Sequence, residues 1–211
     1  NTPLSYSGNR SLSFDGTGDW VDMGTDSLLS LGNNLTVSAF VQTSATNSAG
    51  FIVGKAGGSS NKFYTISIGT GGSIAANTFD GGSGAANVSA AAGTLMPGQW
   101  YHLAYAYDGQ FGRLYVDGVL VDTSAEFIRS STQSGTTGFQ VAARNNGNDF
   151  PGLIDEVAVW DSGLSPENIE HLALYGLNFT LTQPAPIPEP GSFALLGLGL
   201  LGMVRGFRRR R

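Results

Sequence analysis

The side chains with the most chemical potential in this chain are carboxylates, which supply both the acid and the nucleophile of most glycosidases. The first 187 residues contain four glutamates: Glu126, Glu156, Glu167 and Glu170. None belongs to a Glu-x-Asp-x-Glu pattern. Asp155 and Glu156 are neighbours in a strand-like segment, so their side chains point to opposite faces and cannot act as a pair. The carboxylates therefore do not predict a hydrolase.

The other groups used in catalysis are scarce. His102 and His171 are the only histidines, they do not have the spacing of zinc ligands, and cysteine is absent. His102 lies in an apolar strand-like segment and His171 in a predicted helix, so we expect packing or surface roles for both. No Gly-x-Ser-x-Gly motif of a serine hydrolase occurs. The sequence predicts a protein that is not an enzyme.

One loop collects polar side chains that are suited to binding a ligand. It runs from Arg144 to Asp149 and reads Arg-Asn-Asn-Gly-Asn-Asp. Its amide and guanidinium donors suit sugar hydroxyls or acidic glycans. The candidate ligand-binding residues are Arg144, Asn145, Asn146 and Asp149. The alternative is that the loop is simply a turn rich in Gly and Asn.

Charge is distributed unevenly along the chain. The net charge of the whole chain is −5, but residues 1–187 carry six Lys and Arg against 15 Asp and Glu, which gives −9. The positive charge is concentrated in the last seven residues, 205–211, which contain five arginines. An acidic body argues against a nucleic-acid partner.

Most of the chain has the period-2 alternation of short strands separated by turns. Asp117-Gly118, between two alternating apolar runs, is a strong hairpin signal. Ser165 and Pro166 are suited to the start of a short helix that ends before Gly176. These patterns predict an all-β fold, a two-sheet antiparallel jelly-roll sandwich with one short helix near Ser165–Tyr175. The predicted strands are 10–14, 20–23, 34–42, 51–53, 62–68, 74–79, 86–90, 99–107, 111–116, 119–122, 138–143 and 152–160.

The C-terminal part has a different composition. A Pro-rich segment is followed by an apolar run, predicted to form a hydrophobic helix, and by the arginine cluster. This order is typical of a membrane anchor whose basic end stays in the cytoplasm. The predicted divisions are a domain over 1–177, a linker over 178–191 and a transmembrane or sorting segment over 192–211. Pro188, Glu189 and Pro190, the apolar run and the arginines resemble the PEP-CTERM sorting signal of bacteria. That resemblance implies processing by an exosortase and export to the cell surface or extracellular matrix.

The body also resembles a known family. The segments Ser11–Asp22, Leu35–Val41, Gly98–Ala104, Leu114–Val121 and Gly152–Val157 are similar to those of LamG-like (concanavalin A-like) jelly-roll domains. The resemblance implies a structural calcium ion bound by the side chain of Asp155 and by backbone carbonyls. Asp15 and Asp19 are candidate contributors, and a role in the turn is at least as good an explanation for them. The Gly- and Ala-rich stretch 69–93 departs from the family and is poor in groups that would line a ligand site.

These observations predict an exported, non-catalytic domain that is associated with the cell surface or matrix. Its expected partners are an extracellular polysaccharide, an exosortase-type enzyme and, through the C-terminal segment, a membrane. Two alternatives remain open: a purely structural envelope protein without a small ligand, and a carbohydrate-active enzyme. We also expect an export signal upstream of Asn1.

Overall fold

Two antiparallel six-stranded sheets pack against each other and enclose the hydrophobic core. A computed structural model describes residues 10–47, 49–56, 62–80, 84–129, 137–144 and 147–178. These residues all belong to the first of two units into which the chain divides, Asn1–Phe179, whereas the second unit is Thr180–Arg211. The predicted C-terminal helix and the motif Pro188-Glu189-Pro190 lie outside the described residues.

The first sheet, called sheet A, has the strand order β1-β12-β3-β8-β9-β10. Its strands are β1 (Leu12–Asp15), β12 (Pro151–Trp160), β3 (Leu35–Thr43), β8 (Tyr101–Tyr107), β9 (Gly112–Val116) and β10 (Val119–Thr123). The second sheet, called sheet B, has the order β2-β11-β4-β5-β6-β7. Its strands are β2 (Val21–Asp22), β11 (Phe139–Val141), β4 (Gly50–Ala56), β5 (Lys62–Gly69), β6 (Ser73–Phe79) and β7 (Ala85–Ala90). Helix α1 spans Pro166–Tyr175, and short 3-10 helices span Ser27–Leu29, Thr70–Gly72 and Gly176–Asn178.

The predicted all-β sandwich is confirmed, and each predicted strand corresponds to an observed one. Alternation explains the success, because every second residue of a strand points to the same face. In β3, Leu35, Val37, Ala39 and Val41 are all fully buried in the core between the sheets. The hairpin predicted at Asp117-Gly118 joins β9 to β10, and both residues have positive φ, as a type I′ turn requires.

Helix α1 covers the outer face of sheet A. Its Ile169 packs with Ala104 and Ala106 of β8 and with Tyr115 of β9, in a second apolar cluster separate from the main core. The helix begins as predicted, since the Ser165 hydroxyl accepts a hydrogen bond from the Asn168 N–H at 3.3 Å. Among the described residues, α1 packs on strands of sheet A and not on sheet B.

His102 lies on the outer face of sheet A and is only 1% exposed. Its ring centroid is 5.0 Å from that of Phe40, its partner on β3, and within the described part of the chain its buried Nδ1 has no hydrogen-bond partner. Burial lowers the pKa of His102 from 6.5 to about 4, because the apolar surroundings disfavour the charged imidazolium. The histidine has the packing role expected from the sequence.

Within the part of the chain that the structure describes, no helix is both long enough and apolar enough to cross a membrane.

We predict that His102 makes the fold sensitive to mild acid. Its folded-state pKa lies below its unfolded value, so between pH 6.5 and about 4 the unfolded chain binds a proton that the folded chain does not. The free energy of unfolding should therefore fall as the pH decreases through this range, by up to about 3 kcal/mol. Urea denaturation at several pH values measures this. His102→Gln should flatten the pH dependence, and an equally steep dependence in this variant would contradict the assignment.

Candidate functional site

A polar groove of about 200 Å³ opens on the outer face of sheet B. Strands β4, β5 and β6 form its floor, and Arg144 and Asn148, which lie between β11 and β12, form one rim. In β5, Tyr64, Ile66 and Ile68 belong to the core, so the alternate residues Thr65 and Ser67 point outward. The residues whose side chains matter most here are Phe51, Thr65, Ser67, Asn77, Arg144 and Asn148.

The hydrogen bonds on the groove floor determine which atoms remain for a ligand. The Thr65 hydroxyl donates to the Asn77 Oδ1 at 2.6 Å, so the side-chain amide nitrogen of Asn77 is left as a donor. The Ser67 hydroxyl donates to the Ala75 carbonyl at 3.2 Å, which leaves its oxygen as an acceptor. Phe51 is only 3% exposed, so it offers almost no aromatic surface. The described part of the groove is therefore suited to polar contacts rather than to stacking.

Backbone hydrogen bonds hold the rim against sheet B. The Ala142 N–H donates to the Ile52 carbonyl at 2.8 Å, and the Phe51 N–H donates to the Asn148 carbonyl at 2.7 Å. Arg144 and Gly147 are joined by two reciprocal backbone hydrogen bonds of 2.9 and 3.1 Å. Ala142 and Asn148 have positive φ, so two non-glycine residues adopt the left-handed conformation to make the bends. The position of Arg144 is thus set by the backbone.

The four ligand-binding candidates from the sequence have different outcomes in the structure. Arg144 lines the groove. Asn145 and Asn146 lie outside the described residues. Asp149 is turned away from the groove, because its Oδ2 accepts a hydrogen bond of 2.7 Å from the N–H of Gly18, in the turn after β1. Asp149 therefore anchors the rim to the neighbouring turn.

Sequence reasoning missed three groove residues, Thr65, Ser67 and Asn77. Thr65 and Ser67 carried a signal, because each is a polar residue that alternates with apolar ones in a strand. The signal of Asn77 was weaker, because it lies between Ala76 and the polar Thr78. Asn77 lies in the stretch 69–93, which looked poor in ligand-binding groups. A strand needs only one outward amide to contribute to a site, so the average composition of the stretch was misleading.

The structure brings Asp15 and Asp19 together in one turn with Asp149. The Asp15 Oδ1 accepts from the Thr17 N–H at 2.7 Å, and the Asp19 Oδ2 accepts from the Asp15 N–H at 3.3 Å. The Oδ1 of Asp149 is buried and has no hydrogen-bond partner among the described residues. Even so, no group of three or more acidic, histidine or cysteine side chains in the described part of the chain has the geometry to hold a metal ion. The carboxylates serve mainly as acceptors for turn N–H groups.

Asp155 does not join this turn. Asp15 pairs with Pro151 on β12, and Asp155 lies four residues further along that strand, which is about 13 Å away. Its Oδ1 accepts from the Glu156 N–H at 2.8 Å, beside a bulge in which Glu156 has a φ of 47°. Glu156 in turn accepts a hydrogen bond from the N–H of Leu177, after α1. The three predicted calcium ligands are therefore divided between two places, and calcium binding stays a prediction.

Two family models match the chain. The model described as the concanavalin A-like lectin/glucanases superfamily matches residues 15–170, and the PEP-CTERM protein-sorting motif matches residues 186–211. Among curated proteins, human pappalysin-1 is 54% identical over 35 residues, which cover 17% of this chain and 2% of that protein. Mouse pappalysin-1 is 32% identical over 96 residues, or 43% of this chain and 6% of that protein. The chain thus spans only a small part of these relatives.

Solved structures share the fold at low sequence identity. A native heptameric SAP-like pentraxin from Limulus polyphemus is 19% identical, with a TM-score of 0.58 over 76% of this chain and 80% of that one. The CBM40 of the Ruminococcus gnavus IT-sialidase, bound to α2,3-sialyllactose, is 13% identical, with a TM-score of 0.62 over 78% and 97%. Domain 4 of the arabinanase AbnA from Geobacillus stearothermophilus, in complex with arabinotriose, is 21% identical, with a TM-score of 0.50 over 68% of each chain.

Thermal melting tests calcium binding and distinguishes Asp155 from the turn that contains Asp15 and Asp19. If Asp155 holds an ion, a chelator should lower the melting temperature of the full chain in detergent, because an ion that binds only the folded state stabilises it. Asp155→Asn should abolish the difference between melts with calcium and with chelator, whereas the matched variant Asp149→Asn should preserve it. The reverse pattern would assign the ion to the turn at Asp15 and Asp19. Identical melts with and without chelator would contradict calcium binding.

Proposed function

Because this chain belongs to the concanavalin A-like lectin/glucanases superfamily and ends in a PEP-CTERM sorting motif, we propose that it is an exported, non-catalytic glycan-binding protein. Its ligand is an extracellular polysaccharide, and its place of action is the cell surface or the extracellular matrix. The polar groove on the outer face of sheet B is the binding site.

The groove is the observation that carries this proposal. Thr65, Ser67, Asn77 and Arg144 line one concave surface with hydroxyl, amide and guanidinium groups, which are the groups that hydrogen-bond sugars. Two proteins of similar fold are bound to oligosaccharides, sialyllactose in one case and arabinotriose in the other. Their sequence identity to this chain is below 25%, so they support the fold as one suited to glycan binding and do not identify a sugar.

The absence of carboxylates from the described groove supports a binding role over a catalytic one. Glycoside hydrolysis by a protein of this kind requires two carboxylates about 5–10 Å apart across the bond that breaks. None of the described residues that line the groove is Asp or Glu. A carbohydrate-active enzyme is therefore the weaker alternative.

The tail supports the proposed location. Residues 186–211 match the sorting motif, and within them the apolar run precedes the terminal arginines. An apolar segment followed by arginines is retained in the membrane with its basic end in the cytoplasm, which leaves the preceding domain on the exported side. An exosortase-type enzyme then processes the chain near Pro188-Glu189-Pro190, so the membrane anchorage is transient.

We predict that filling the groove abolishes glycan binding. Ser67→Trp places a large ring on the groove floor without touching the core, so the dissociation constant for a bound polysaccharide should rise at least tenfold, about 1.4 kcal/mol. The matched control is Ser89→Trp, because Ser89 is an exposed residue of β7 on the same face of sheet B and does not line the groove. Binding of the full chain in detergent to a panel of bacterial polysaccharides is measured by isothermal titration.

These titrations, together with an assay for reducing ends, distinguish the three hypotheses about the function of the protein. Saturable binding that Ser67→Trp removes and Ser89→Trp preserves supports the proposal. Binding to no polysaccharide of the panel favours a structural envelope protein without a small ligand. New reducing ends, released from a polysaccharide by the purified chain, would favour the enzyme.

We also predict that processing depends on the sorting motif. When the chain is produced together with an exosortase, replacing Pro188, Glu189 and Pro190 by alanine should leave the arginine tail attached, because the enzyme's recognition motif is lost. Mass spectrometry of the C terminus measures this. The matched control replaces Pro184 and Pro186, which precede the motif. Cleavage that continues in the triple-alanine variant would contradict this assignment.

A further inference from the structure

Arg144 has no hydrogen-bond or ion-pair partner among the described residues, which distinguishes it from Lys55, Arg113 and Arg129. Lys55 is buried and donates to the Ser30 hydroxyl at 2.8 Å, Arg113 forms an ion pair with Asp108 at 2.6 Å, and Arg129 is buried and donates to the Gly32 carbonyl at 2.8 Å. The guanidinium of Arg144 makes neither a hydrogen bond nor an ion pair with any described residue, yet Arg144 is only partly exposed and lines the groove. None of the five N–H donors of this guanidinium is therefore used by a described residue.

The remaining groove atoms do not compensate the charge of Arg144. Among the described lining residues Arg144 is the only charged one. The amide nitrogen of Asn77 adds a further donor, since its Oδ1 already accepts from Thr65. A groove that is rich in donors and contains one cation that no described residue pairs favours a ligand with negative charge.

The lack of aromatic surface in the described groove also favours a charged ligand. Protein sites for neutral sugars commonly gain much of their binding energy from a ring that contacts the sugar face. The one aromatic side chain that lines the described groove is Phe51, which is 3% exposed and cannot serve as such a platform. Charge-assisted hydrogen bonds, which are roughly twice as strong as neutral ones, are the main source of affinity that remains.

The rim also fixes the backbone position from which the Arg144 side chain extends. The paired backbone hydrogen bonds between Arg144 and Gly147, and the hydrogen bond from Phe51 to Asn148, hold its backbone before a ligand arrives. Less conformational entropy is then lost on binding. The guanidinium at the end of this side chain can form two parallel hydrogen bonds to the two oxygens of a carboxylate.

We propose that the groove selects an acidic glycan and that Arg144 binds its uronate carboxylate. This inference rests on the proposed function and specifies its ligand class. Asn77 and Ser67 would then hydrogen-bond the hydroxyls of the same sugar or of its neighbour.

The test compares each acidic polysaccharide with its own neutral form. Polygalacturonate, alginate and hyaluronan are titrated with the full chain in detergent, each beside a carboxyl-reduced preparation in which the uronates have become neutral sugars. At least one acidic form should bind at least tenfold more tightly than its reduced form. Arg144→Gln should remove this preference, and Arg144→Lys, which keeps the charge but not the planar fork, should restore part of it. Arg10→Gln is the matched control, because Arg10 is exposed and does not line the groove.

The outcomes separate this inference from the proposal on which it rests. Equal binding of the acidic and reduced forms, unchanged in Arg144→Gln, would overturn the role of Arg144 and leave a glycan-binding protein. Binding of neutral polysaccharides alone would do the same. If no form of any polysaccharide binds, glycan binding and the selection of acidic glycans both fail.

Discussion

The groove depends on the way the backbone of residues 142–150 connects the two sheets. The Ala142 N–H donates to β4 of sheet B, and the Phe150 N–H donates at 2.7 Å to the Ala142 carbonyl, which closes the segment on itself. Immediately afterwards Gly152 enters sheet A with a φ of 149°, where a Cβ atom would lie 2.1 Å from the Gln42 carbonyl. Only glycine allows so close an approach between β12 and β3. The same backbone path therefore determines the rim, the position of Arg144 and the start of β12.

The aspartates that make the chain acidic serve mainly to stabilise its turns and do not line the candidate site. Many aspartates accept hydrogen bonds from nearby backbone N–H groups, as expected for residues that stabilise loops in a protein of many short strands. Those with such a bond include Asp15, Asp19, Asp22, Asp26, Asp108, Asp117, Asp122, Asp149 and Asp155. Because none of these aspartates lines the groove, its described lining carries no negative charge although the net charge of the chain is −5.

The sequence predicted the fold more completely than the site, and the reason is physical. Alternation is a local property, so the strand β3 and the start of α1 at Ser165 could be read from adjacent residues. The site combines an arginine from one loop with Thr65, Ser67 and Asn77 from two strands far away in sequence. Whether these residues come together depends on the strand order of sheet B, which alternation does not specify. The orientation of Asp149 could not be predicted for the same reason, since its partner Gly18 is 131 residues away.

The size of the groove is informative about how such a protein would work. A volume of about 200 Å³ is smaller than the roughly 300–1,000 Å³ typical of sites that enclose a small ligand. It can contact one or two sugar units, so a single contact would be weak. A polysaccharide repeats the same unit many times, and chains delivered to one surface by the same sorting tail would bind it together. Linked weak contacts can raise the overall affinity by about a hundredfold or more without any new contact. A shallow polar groove combined with a surface-sorting signal is therefore a coherent arrangement for retaining a matrix polysaccharide.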